Sequence, residues 1–130
     1  MTTELLYLTL VAVLTALMWI PYTLNMISVR GLADAVGYPE NPEPLAPWAS
    51  RMKAAHGNAV ENLVVFAALV LVAQALSVSD NATQVSSMVY FWMRLIHFFA
   101  YTFAVPWVRT LSFVIASLAQ ICIAWQILAA

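Results

Sequence analysis

Charge is what this sequence has least of. Asp, Glu, Lys and Arg make up 8% of its 130 residues, where soluble domains carry about 25%. A soluble chain of this length must cover its surface with polar side chains, so the shortage points to lipid as the main solvent. Neither sign dominates: 5 Lys and Arg against 6 Asp and Glu leave a net charge of −1. No basic surface is available to neutralise phosphates, which argues against a nucleic-acid partner. Cysteine occurs once, as Cys122 in an apolar run, which excludes an internal disulfide and a cysteine metal site. There is no HExxH, no Gly-rich phosphate loop and no carboxylate–histidine set suited to a metal. The opening MTTELLYLTL has no Lys or Arg ahead of its apolar run. A cleaved signal peptide has a positive n-region, so this segment is expected to stay as a transmembrane helix.

What the chain does have is apolar length. Hydrophobic residues make up 64% of it and the mean hydropathy is +0.87. Four apolar segments, at about residues 5–29, 49–77, 85–105 and 107–128 of a single domain, each reach the ~20 residues a bilayer requires. Backbone groups in lipid must pair within their own segment, so these are expected to be helices. Pro21 should kink the first. Between the first two lies RGLADAVGYPENPEPLAPW, where Pro39, Pro42, Pro44 and Pro47 forbid a continuous helix. The other connections, SVSDNATQ and VPWVR, are short, so consecutive helices should be antiparallel neighbours in an all-α, four-transmembrane-helix bundle.

Such a chain puts Arg30, Arg51, Lys53 and Arg109 at one face of the membrane, against Glu4 and Asp80 at the other. The positive-inside rule places the Arg-bearing loops in the cytoplasm and both termini outside, with Trp48 and Trp107 as boundary anchors. The absence of an inverted repeat and of paired broken helices argues against a transporter.

Polar residues inside the spans carry the functional question, since an ionisable group at the bilayer centre costs at least ~2.5–3.5 kcal/mol. At about 100° per residue, Arg51, Asn58 and Asn62 share one stripe of the second span with Glu61 at its edge, while His56 turns toward a different neighbour. In the third span Tyr90, Arg94, His97 and Tyr101 keep the i, i+3, i+4, i+7 spacing of one helical face. Glu61 and Arg94 both fall roughly 15 Å from the Arg-bearing end. A buried Glu61–Arg94 ion pair is therefore expected, since neither charge is tolerable alone at that depth. The stripes read either as inter-helix glue or as the lining of a cleft for an anionic, hydrogen-bonding ligand.

The run R51-x4-H56-x-N58-x2-E61-N62, with R94-x2-H97-x3-Y101 and then Pro106 and Arg109, resembles the MAPEG superfamily, the membrane-associated proteins in eicosanoid and glutathione metabolism. The likeness spans the chain in length, span count and motif placement, and is nearer a bacterial branch, which implies an inner-membrane protein. It implies a homotrimer with glutathione as cosubstrate in a cleft between subunits. The activity implied is a glutathione-dependent transferase or peroxidase acting on a small lipophilic electrophile. By position, Arg109 matches the thiol-activating arginine, Asn58 and Glu61 match glutathione contacts, and Arg94, His97 and Tyr101 match cleft-lining positions. Arg51 is a further candidate cation for the same ligand, because Gly57, Ala54 and Phe113 stand where well-studied glutathione-using members often carry two arginines and a tyrosine. The other reading is a non-catalytic membrane protein of this fold, its polar stripe structural or serving assembly with another membrane protein.

Overall fold

The computed structural model describes all residues, 1–130, and is wholly helical between its turns. The helices are α1 (Thr3–Leu17), α2 (Trp19–Arg30), α3 (Leu32–Val36), α4 (Pro47–Ala75), α5 (Asn81–Thr102) and α6 (Pro106–Ala129). α1 and α2 form one span broken at Met18. Pro21 explains the place of the break: it has no N–H for the Leu17 carbonyl and its ring crowds that group, so the disturbance lies one turn upstream of the proline. α4 and α6 each begin with a proline in the first turn, where a missing N–H costs nothing.

Three segments are long and apolar enough to cross a membrane: Thr3–Arg30, Pro47–Ala75 and Pro106–Ala129. The remaining expected span, α5, is 22 residues long but is not among them. Its polar residues explain the difference. Thr83, Ser86, Ser87, Tyr90, Arg94, His97 and Thr102 are all buried, so α5 turns its polar face inward while α1, α4 and α6 pack around it. The outside of the molecule is apolar instead, with Leu71, Leu118 and Trp125 more than half exposed. Interior hydroxyls are satisfied locally: Thr15, Ser87 and Thr102 each donate to the carbonyl four residues earlier in their own helix.

The core has two apolar clusters. One joins Val11, Phe66, Val70, Tyr90, Ala116, Ala119 and Ile123, with the Phe66 and Tyr90 rings stacked at 3.9 Å. The other, nearer the Arg-bearing end, joins Met18, Met52, Ala55, Ala59 and Phe98. Asn62 and Arg94 fall between the two clusters along α4 and α5, and Asn58 lies beside Ala59 at the near edge of the second.

At the opposite end Glu4 is only 4% exposed. Its Oε1 accepts from Ser79 Oγ at 2.9 Å and from Thr83 Oγ1 at 2.5 Å, tying α1 to the start of α5. Thr83 also completes a capping box with Asp80 there. Thr83→Val keeps the shape and removes the donor from a buried carboxylate. It should lower stability by about 1–3 kcal/mol, read as a fall in the thermal midpoint of the detergent-solubilised protein.

Candidate functional site

On α4 the buried face is Met52, Ala55, Ala59, Phe66 and Val70. Stepping about 100° per residue from Ala59, Asn58, Asn62 and Arg51 fall on the flank toward α5, and His56 on the flank toward α2. The contacts obey this order. Asn62 Nδ2 donates to the Asn58 carbonyl at 2.9 Å, and Gln120 Nε2 of α6 donates to the Asn62 carbonyl at 3.1 Å. His56 turns away from this group, as the helical angle requires, and its Nδ1 meets the Tyr22 hydroxyl of α2 at 2.7 Å.

The expected Glu61–Arg94 ion pair does not form. Glu61 lies about 160° from Ala59 around the helix, so its side chain is on the exposed face of α4. Arg94 is buried, 2% exposed, and its Nη2 donates to Asn58 Oδ1 at 2.7 Å. Its Nε and Nη1 have no protein partner, and neither do the buried His97 Nδ1 and Tyr90 hydroxyl. α5 thus presents a row of unanswered polar atoms to the interior, one of its groups a full cation whose only bond is to a neutral amide.

Next to this row a pocket of about 210 Å³ opens among α4, α5 and α6, lined by Asn58, His97, Tyr101, Arg109, Thr110 and Phe113. The Arg109 guanidinium lies over the Tyr101 ring, 5.4 Å from its centroid. His97 meets Tyr101 edge-on at 5.7 Å and Phe113 at 6.0 Å. Asn58, His97, Tyr101 and Arg109 are therefore brought together, as the motif resemblance implies, with Arg94 behind them through Asn58. Two predicted residues lie elsewhere. Glu61 is outside the pocket, and Arg51 spends its Nε on the Thr102 carbonyl at 2.9 Å. Sequence reasoning missed Thr110 and the pocket-lining place of Phe113. Phe113 could have been found from Arg109, since i and i+4 on a helix border one patch, whereas Thr110, a step of about 100° away, carried no such signal.

A larger groove of about 550 Å³ runs along the other flank of α5, by Trp92, Ile96, Phe99 and Phe103, and its lining is entirely hydrophobic. It offers no group to hold or activate a polar ligand. No group of three or more His, Cys, Asp or Glu side chains is placed to hold a metal ion.

The half-satisfied state of Arg94 gives opposite expectations for two substitutions. Arg94→Met removes a poorly compensated buried charge and should leave the ligand-free thermal midpoint unchanged or raised. Asn58→Leu strands the charge and should cost about 3 kcal/mol. Thermal unfolding of both variants in one detergent checks the pair.

The sequence model of the MAPEG family matches residues 6–129. No curated protein and no solved structure matches the chain. The family match covers nearly the whole sequence, and the three apolar helices fit a lipid bilayer. The chain is an integral membrane protein that belongs to the MAPEG family.

Proposed function

We propose that this protein is a glutathione-dependent transferase or peroxidase acting on lipophilic electrophiles. In this reading it is a homotrimer of four-span subunits in a bacterial inner membrane, with the Arg-bearing end cytoplasmic. The observation that carries the reading is the buried, uncompensated Arg94 guanidinium next to a pocket that holds a second arginine. A buried charge with no counter-ion is costly, and a ligand carboxylate bonded to a free nitrogen of Arg94 would supply one through a charge-assisted hydrogen bond. Asn58 presents that guanidinium, while the unpartnered His97 Nδ1 offers one more polar contact.

Arg109 is placed for the chemistry. Its guanidinium lies in the pocket at the Arg-bearing end, held over Tyr101, and a cation close to sulfur favours the thiolate, the nucleophilic form. The thiolate sulfur then forms a bond to the electrophilic carbon, and the displaced group leaves with its electron pair. In the peroxidase form the sulfur attacks a peroxide oxygen, the O–O bond breaks to release an alcohol and leave a sulfenic acid, and a second glutathione thiol displaces water from it to complete the disulfide.

Two features support assembly with further copies. A pocket of about 210 Å³ is smaller than the ~300–1,000 Å³ usual for ligand sites, so one chain supplies only part of the enclosure. Glu61, at the midpoint of an apolar helix, sits on an exposed face with Ala54, Gly57 and Ala68, and no atom lies within 4 Å of a Cβ built on Gly57. Small residues permit close helix packing in membranes, and the carboxylate on that face needs a partner. In a trimer Glu61 would reach the ligand's ammonium across the interface.

The pocket's small size also favours a second reading, a non-catalytic member whose polar core is structural. Calorimetry of the solubilised protein with millimolar glutathione separates the two: saturable binding is expected, and its absence sinks the enzyme reading. Given binding, Arg109→Ala should cut the rate of transfer to a lipophilic aryl halide by roughly 10²-fold while changing affinity far less.

A further inference from the structure

Arg51 belongs to the sequence motif but lines no pocket, and its one hydrogen bond crosses from α4 to the far end of α5. Its acceptor is unusual. α5 ends in a paired-turn cap: the Val105 N–H bonds to the Ala100 carbonyl at 2.9 Å and the Ala104 N–H to the Tyr101 carbonyl at 3.3 Å. That cap requires a left-handed residue, normally glycine, and here the position is Ala104 with φ 57°. The turn is therefore held in a conformation its own residue disfavours. The cap leaves over the carbonyl of Thr102, a residue that is 0% exposed. A buried carbonyl without a donor is destabilising. Arg51 Nε supplies the donor at 2.9 Å and puts a cation at the negative end of the helix.

The arginine of the pocket stands just beyond this turn. Pro106 opens α6, and the Arg109 N–H donates to the Val105 carbonyl at 3.0 Å, setting the first turn. Tyr101 and Arg109 thus sit on either side of the braced turn, and their stacking depends on its geometry. Arg51 is the only side chain from outside α5 and α6 that hydrogen-bonds to residues 100–109.

We propose that Arg51 is a positioning residue for Arg109. By bonding the Thr102 carbonyl it braces the strained α5–α6 turn and so fixes where the Arg109 cation stands over Tyr101. The effect on the thiol rests on the proposed glutathione activity, whereas the bracing of the turn does not.

The test uses the full chain in detergent with three substitutions. In Gln the side-chain nitrogen lies as many bonds from the backbone as Arg Nε, so Arg51→Gln keeps the donor and loses the charge. Arg51→Lys keeps the charge and moves the donor one bond further out, and Arg51→Ala loses both. Amide hydrogen exchange over residues 100–109 of the ligand-free protein should quicken about tenfold in Arg51→Ala and return close to the parent rate in Arg51→Gln. With glutathione as probe, the ultraviolet thiolate signal of the bound form should fall about threefold or more in Arg51→Ala and recover in Arg51→Gln, with the dissociation constant changed by less than about threefold. Unchanged exchange in Arg51→Ala overturns the proposal. So does recovery by Arg51→Lys and not by Arg51→Gln, since Arg51 would then act through its charge. If the parent protein binds no glutathione, the enzyme reading fails while the exchange measurement still decides the role of Arg51.

Discussion

Lipid accepts and donates no hydrogen bonds, and the arrangement of this molecule stems from that constraint as it acts on α5. The helix carries Thr83, Ser86, Ser87, Tyr90, Arg94, His97 and Thr102 along its buried face. Turned toward acyl chains, the polar atoms of Tyr90, Arg94 and His97 would face a medium that can never answer them. α5 is therefore surrounded, with α1, α4 and α6 against it, and the apolar residues those helices carry in excess face outward. The small side chains of α4, Ala49, Ala55 and Ala59, are wholly or almost wholly buried, so its backbone can come close enough for Asn58 to meet Arg94.

Satisfaction of this interior is uneven, and the unevenness has a location. The hydroxyls bond back to their own helices, Glu4 is held by Ser79 and Thr83, and Gln120 bonds the Asn62 carbonyl. The unanswered atoms, Glu4 Oε2 apart, lie on Tyr90, Arg94 and His97, the row behind the pocket. A fold that settles its other polar groups and leaves a guanidinium with one neutral partner has placed its cost next to the one cleft with polar lining. Buried polar networks left incomplete are destabilising, which is the physical basis for reading this row as the receiving side of an anionic ligand.

The apolar spans of α1–α2, α4 and α6, the break near Pro21 and the inward row on α5 were legible because each rests on local rules: run length, a missing N–H, and a 3.6-residue period. The meeting of Asn58 and Arg109 with His97 and Tyr101 followed instead from the motif resemblance. The Glu61–Arg94 pair rested on matching depth, on the cost of an unpaired charge and on a place only at the edge of the α4 stripe. Depth says nothing of azimuth, and one residue step of about 100° beyond the inward flank of α4 was enough to carry Glu61 out of reach. The burial of Glu4 was not legible for a similar reason. Its partners Ser79 and Thr83 are some 75 residues away in the chain, and no local pattern marks them.

By itself the sequence determined the solvent, the family and the inward face of α5, because composition, motif and periodicity are properties of the chain alone. Tertiary structure alone decided which charges are answered. It gave Arg51 to the Thr102 carbonyl, gave Asn58 to Arg94, and left Glu61 on an open face. Hydrogen bonds and ion pairs act over a few ångströms between groups far apart in sequence, so their assignment depends on how the helices are rotated and seated against one another.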